Sequence, residues 1–250
     1  SYFASAILNY DEKYLLTATF RADGSTRFGE ENRYGYFPSF AAAWNIKNES
    51  FMSDVSWVNQ LKFRVGYGKT GNQEFPSGAA QQRYNITYSS GSQSFPGVNN
   101  RNVNLKWQAD EQTNVGADFA LFGNRISGSV DYFNKVTTDL LFPQIPLVPA
   151  NPGVAVTWLN LPAKIVNKGV ELSLSGNVIQ KEDVTLTLGA NATFIKNTVK
   201  DLVGVIKTGA LSGQGLSGVT LEVIQSGLPL FAMVTREYNG LGQDGFSTYT

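Results

Sequence analysis

Apolar and polar residues alternate with period two along most of this chain, the spacing of a strand with one apolar and one polar face. The clearest stretch runs from Tyr14 to Ile46. In its first half Tyr14, Leu16, Ala18, Phe20 and Ala22 share a face opposite Thr17, Thr19, Arg21 and Asp23. In its second half Phe40, Ala42, Trp44 and Ile46 oppose Ser39, Ala41, Ala43 and Asn45. A tilted crossing of a bilayer needs about 9 to 11 residues per strand, whereas strands of soluble proteins average about 5 to 6. The length of these runs therefore predicts a membrane hairpin.

The same pattern recurs at 2–10, 61–67, 114–121, 126–132, 170–175 and 185–194, which predicts eight strands in all. Short connections at 11–12, 122–124 and 180–183 alternate with long ones at 24–36, 70–106, 140–166 and from 197 onward. Short turns on one side and long loops on the other are the asymmetry of an outer-membrane barrel. The connection at 47–60 fits least, being long for a periplasmic turn; its Phe51, Val55 and Val58 suit a short helix or an ordered turn. Pro143, Pro146, Pro149, Pro152 and Pro162 lack the amide donor of a strand ladder, so the 140–166 segment is expected to leave the sheet and, being apolar, to pack on something. The expected fold is all-β: an antiparallel up-and-down transmembrane β-barrel wall, about eight strands of a larger barrel.

Composition agrees with strands and turns: 16 Phe, 11 Tyr, 4 Trp and 25 Gly,. Lys plus Arg and Asp plus Glu are both 20, which gives no electrostatic reason to expect nucleic acid or an anionic membrane surface as a partner. The absence of Cys and His removes disulfide frameworks, cysteine nucleophiles and imidazole catalysis. No run of about 18 apolar residues is present, so no transmembrane helix is expected.

Short motifs add little. Gly68-Lys69-Thr70 resembles the end of a phosphate loop, but the required earlier glycine position is Phe63,. Residues 239–245 offer only Asp244 where a calcium loop needs several carboxylates,. The sequons at Asn48, Asn85 and Asn191 are read as chance. Asp118, Asp131 and Glu171 would share one face, yet acids spread over a wet face are more often solvation than a hydrolase pair. No enzymatic activity, cofactor or metal is expected. Tyr2, Tyr10, Tyr14, Trp44, Tyr67 and Tyr132 lie near strand ends on the apolar face, where a bilayer places aromatic girdles.

Long blocks carry a resemblance: residues 14–46, LKFRVGYGKTGNQ, the run from LKWQADEQ to TTDLL, NKGVELSLSGNV and SGLPLFAMVTREYNGLGQDG resemble SusC/RagA-type TonB-dependent transporters. The order is that of the family across almost the whole chain; Phe231-Ala232-Met233-Val234 departs from an aromatic-glycine pattern. The resemblance implies outer-membrane import of glycans or peptides in a Gram-negative bacterium, through a barrel of about 22 strands with a plugged lumen. It also implies a SusD-like surface lipoprotein, TonB acting through a region not found here, and outer-membrane lipid as partners, and leaves a homodimer of the full transporter open. No signal peptide, plug or closing C-terminal strand is found, so residues 1–250 are expected to be an internal part of the barrel domain. Candidate substrate-binding residues are Arg27, Tyr34, Tyr88 and Trp107, because aromatic and arginine side chains stack and donate hydrogen bonds. Two rival readings stand beside this one: a self-contained small β-barrel that binds ligand or works in a membrane, and a soluble β-sandwich with carbohydrate-binding or hydrolytic activity.

Overall fold

The computed structural model describes residues 1–81, 83–84, 86–89, 91–94, 97–99, 102–144, 157–211 and 219–249. Eight strands form one sheet: β1 (Tyr2–Tyr10), β2 (Tyr14–Gly24), β3 (Tyr34–Asn45), β4 (Val58–Asn72), β5 (Gln108–Leu121), β6 (Ile126–Thr138), β7 (Lys164–Gln180) and β8 (Thr185–Lys200). Each pairs antiparallel with the next in chain order. Their number, order and faces are those the alternation predicts. Among the described residues β1 and β8 pair with each other at no point, so the sheet is open rather than a closed eight-stranded barrel.

Register aligns the alternation across the whole sheet. One row runs Leu8, Leu16, Ala42, Val65, Val115, Tyr132, Val170, Phe194. On that face, from Tyr14 to Ala22, Tyr36 to Trp44, Leu61 to Tyr67, Val115 to Leu121, Ile126 to Tyr132 and Val170 to Gly176, every residue is aliphatic, aromatic, glycine or proline. The band stops at the row Thr113, Asn134, Lys168, Lys196, with Lys69 paired to Glu111 beside it. Four two-residue intervals at about 3.4 Å per residue, tilted by about 40°, make a band roughly 20 Å tall. Its large side chains are exposed, Phe40 by 57%, Leu188 by 58% and Phe194 by 66%. A water-soluble chain does not expose a contiguous apolar surface of this size.

The strands are longer than the apolar runs. The first hairpin climbs to Gly24 and descends from Tyr34, so the loop expected at 24–36 shrinks to 25–33. Leu140–Gln144 and Thr157–Leu161 do leave the sheet, but as a two-stranded ribbon in which Pro143 stands opposite Trp158. In a two-stranded ribbon both strands are edges, so a proline without a donor is tolerated. Pro146, Pro149 and Pro152 lie outside the described residues, as does Asn85 of the second sequon. The Gly-rich end is more ordered than its lost alternation suggests: Val205–Leu211, Val219–Gln225 and Ala232–Met233 make a second sheet, and Tyr238–Leu241 pairs with Ser247–Tyr249. The turn expected at 239–245 is closed by Gly242 N donating to Phe246 O at 2.8 Å.

The buried clusters lie at the long-loop end. Phe28, Phe75, Ala79 and Leu105 form one core, joined by Trp107, Leu141 and Trp158. Ala163, Val199, Leu202 and Ile224 form another, joined by Leu140, Phe142 and Leu161. The ribbon thus packs one core with Leu141 and the other with its neighbours Leu140 and Phe142.

The 47–60 connection is a folded cap in which the expected short helix or ordered turn takes the form of 3-10 turns at Ile46–Asn48 and Ser50–Met52. Glu49 accepts from Tyr14 OH at 2.7 Å and Trp44 Nε1 at 2.9 Å, while Asn45 and Asn48 donate to Glu12 O in the adjacent turn. Tyr10, Tyr14 and Trp44 form a stacked row there, with ring centroids 6.4 Å apart. The Tyr14 hydroxyl and then the Trp44 indole stabilise the charged carboxylate and hold Glu49 below its ordinary value. A lowered folded-state pKa contributes stability above the ordinary value of about 4.3, lost as pH falls through the lowered one. The cap should therefore stay closed at pH 5 and loosen below about pH 4, read as faster amide exchange at 46–52 with the strands unchanged.

Candidate functional site

The polar face of the sheet carries one organised constellation. A single register row places Arg64, Gly116, Asp131 and Glu171 side by side on β4, β5, β6 and β7. Arg64 grips Asp118 in a bidentate fork, Nε to Oδ2 and Nη2 to Oδ1, both at 2.8 Å. The same Nη2 reaches Asp131 Oδ1 at 2.9 Å. That reach crosses the backbone of β5, and it exists because position 116 has no side chain. A Cβ on Gly116 would stand 2.0 Å from Asp131 Oδ1 and 3.1 Å from Arg64 Nη2. Planar guanidinium geometry suits this double pairing where lysine would supply one point charge.

Nearer the long-loop end Lys135 pairs with Asp110 at 3.2 Å, and Thr137 Oγ1 donates to the same carboxylate. A cleft of about 530 Å³ on this face is lined by Arg64, Gln112, Asn114, Asp131, Lys135, Asn167 and Glu171. It mixes donors, acceptors and both signs of charge with Tyr132, Phe133 and Ile195. Gly68-Lys69-Thr70 lies within β4, where Lys69 is paired with Glu111, so it forms no phosphate loop. Replacing Arg64 by leucine leaves Asp118 and Asp131 facing each other; because the site is about one-third exposed, the loss should be about 1–2 kcal/mol, measured by urea unfolding. Asp118→Asn should cost less, since Arg64 keeps Asp131.

The four predicted contact residues are not gathered into one site. Arg27 Nη1 donates to Gln73 O at 3.2 Å and Phe75 O at 2.7 Å, tying the first long loop to the second. Trp107 packs tilted against Phe28 at 4.9 Å and edge-on against Phe37 at 5.4 Å, with its Nε1 donating to Arg33 O. These two therefore meet through one core. Tyr34 stands at the top of β3 on the apolar face, its ring lying over Gly24. Tyr88 is 77% exposed on the small Thr87–Ser89/Ser92–Ser94 hairpin, its hydroxyl touched by Gln93 Nε2 at 3.3 Å.

Single-strand reading missed what joins the loops. Asn160 Nδ2 donates to Lys106 O and Asp139 O while its Oδ1 accepts from Lys106 N, and Asn102 Nδ2 donates to Trp158 O. The recurring aromatics at Phe28, Phe75, Trp107 and Trp158 were the available signal.

The chain matches the family model described as TonB dependent receptor-like, beta-barrel, over residues 1–225. The chain belongs to the TonB-dependent receptor β-barrel family. This receptor-barrel chain is 34% identical over 251 residues to TonB-dependent receptor P3 of Formosa agariphila, covering 98% of the chain and 25% of that receptor. It is 34% identical over 218 residues to TonB-dependent receptor SusC of Bacteroides thetaiotaomicron, covering 82% and 21%. The chain thus spans about a quarter of the length of these relatives. Among solved structures, the RagAB peptide transporter superposes with a TM-score of 0.85 at 25% identity, over 99% of this chain and 26% of that one. The RagAB peptide importer in its open-open state gives 0.83 at 24% identity, over 99% and 28%, a likeness of fold. The SusC/RagA resemblance and the all-β barrel wall are thereby established, and among the described residues no helix is long and apolar enough to cross a membrane.

Proposed function

We propose that this chain is part of the wall of a larger outer-membrane transporter that imports glycans or peptides. The single observation that carries the reading is the pairing of the family match over 1–225 with a sheet whose one face is apolar throughout its central band and whose other gathers the charged and polar side chains. The two unpaired edges β1 and β8 would be completed by further strands of the barrel, since an open edge is an aggregation hazard. The plug would face the polar side, TonB would drive transport through another region, and a SusD-like lipoprotein would close over the long-loop end. Tyr88 offers its ring to substrate there, while Arg27 and Trp107 would act by fixing the shape of the loops.

The test is deletion of the full-length gene in its host, followed by growth on defined oligosaccharides or peptides as sole nutrient. Complementation should restore growth and recover the protein in outer-membrane fractions with a surface lipoprotein. Unchanged growth on every such nutrient, with the protein absent from the outer membrane, would refute the reading. Within a complemented strain, Tyr88→Ala should lower uptake severalfold with membrane abundance unchanged, measured with labelled substrate.

A further inference from the structure

On the face that bears the apolar band, the β7–β8 hairpin carries its charge at one end only. Alternation in step with Val170 and Phe194 puts Lys164, Val166 and Lys168 of β7 and Lys196, Thr198 and Lys200 of β8 on that face. Lys168 and Lys196 are cross-strand partners, both exposed, in the row that closes the band at the long-loop end. Lys164 and Lys200 are partners one step further up the same face. Below these lysines the face is apolar from Val170 to Gly176 and from Phe194 back to Leu186. The balanced totals of charge conceal this patch, because the acids of the hairpin lie elsewhere: Glu171 on the polar face, Glu182 and Asp183 in the short turn.

Like charges directly opposite each other on a sheet are destabilising, and other lysines of this border meet acids. Lys69 pairs with Glu111 at 3.2 Å and Lys164 with Asp201 at 2.8 Å. Among the described residues neither Lys168 nor Lys196 has a carboxylate within ion-pair distance. Lys168 lies between two paired strands, so its neighbours on this face are fixed by register. Asn134 and Lys196 stand beside it, with Tyr132, Val136, Phe194 and Thr198 on the diagonals, and none is an acid. The row continues through Asn134 to Thr113, so two neutral hydrogen-bonding side chains adjoin the two ammonium groups. Three strand spacings of about 4.8 Å make this polar row roughly 14 Å wide.

We infer that Lys168 and Lys196 together hold a phosphate of a multiply acylated glycolipid in the outer leaflet, whose acyl chains lie on the apolar face below them. The inference rests on the wall reading, which puts the apolar band in lipid and the long-loop end outside. A phosphate between the two ammonium groups relieves their repulsion, which an uncharged headgroup cannot do. Lysine stems lie along apolar surface while their charged ends stay in the headgroup layer, and each basic side chain near an anionic membrane surface adds attraction. A glycolipid fits better than a two-chain phospholipid because Asn134 and Thr113 extend the row beyond the phosphate contact with partners suited to sugar hydroxyls.

The test offers the full-length protein in detergent equal amounts of lipid A bearing two phosphates, the same glycolipid without phosphate, and phosphatidylglycerol, and counts retained lipid by native mass spectrometry. The unsubstituted protein should retain the phosphorylated glycolipid in excess over both others. Lys168→Gln combined with Lys196→Gln should lower that retention about thirtyfold, and either alone about fivefold. Lys168→Arg combined with Lys196→Arg keeps both charges and should preserve it. Lys181→Gln, in the short turn at the opposite end of the hairpin, should change nothing. Retention unaffected by the double glutamine variant, or lost equally with Lys181→Gln, overturns the site. Equal retention of the phosphate-free glycolipid or of phosphatidylglycerol overturns the choice of ligand. Membrane insertion is followed separately by heat-modifiable migration: failure of the unsubstituted protein to insert would overturn the wall reading, whereas insertion with unaltered lipid retention overturns the glycolipid site alone.

Discussion

Leu172→Arg destabilises the barrel by about 2–4 kcal/mol, the cost of an arginine facing lipid near the middle of the apolar band. Leu172 stands on β7 between Val130 and Ala192, with aliphatic residues above and below it at Val170 and Leu174. An arginine there can neither reach the polar row at Lys168 with its backbone in place nor find an acid on its own face. The neighbouring substitution Ser173→Arg is the control. Ser173 lies on the polar face between Ser129 and Asn191, so the same added charge should change stability by no more than about 0.5 kcal/mol. Urea unfolding in phospholipid vesicles, followed by tryptophan fluorescence, compares the two directly. Equal costs would mean that the faces do not differ in environment.

The second large effect is local. Phe75 is 4% exposed, its ring 5.1 Å from Phe28 and 6.0 Å from Trp158, and its carbonyl takes a hydrogen bond from Arg27. Phe75→Ala should remove about 3–5 kcal/mol from the core beneath the long loops. Because that core is separate from the sheet ladder, the loss should appear where the loops meet. Amide exchange at 73–81 and 157–161 should accelerate by a hundredfold or more, and that at 126–132 should not move. Acceleration spread evenly over sheet and loops would contradict the division between wall and loop core.

How much of this was legible in the sequence follows from what alternation encodes. Period two within a strand assigns faces, so Leu16 against Thr17 and Val130 against Asp131 were readable without knowing any partner strand. Alternation does not encode register between strands. Arg64, Gly116 and Asp131 were visible as a mixed-sign face, yet their row is set by ladders between β4, β5 and β6, and the reason for glycine at 116 appears only once that row exists. Long-range packing was equally hidden: Phe28, Phe75, Trp107 and Trp158 sit in segments without periodicity, so nothing tied their rings into a shared core, and Trp107 read as readily as a ligand contact. The 47–60 cap resisted reading for a related reason. Its closure comes from Glu49 meeting Tyr14 and Trp44 across two strands, not from any helical pattern of Phe51, Val55 and Val58.

The central claim is that one face of this sheet meets lipid and the other the transport path. The chain contains no cysteine, so single cysteines can be introduced in turn at 170–175 of the full-length protein, spin-labelled and reconstituted in vesicles. Positions 170, 172 and 174 should collide with oxygen, which concentrates in lipid, and positions 171, 173 and 175 with a water-soluble nickel chelate, giving a period of two. Accessibility to both reagents that is flat along the strand, or an alternation of the opposite phase, would contradict the account.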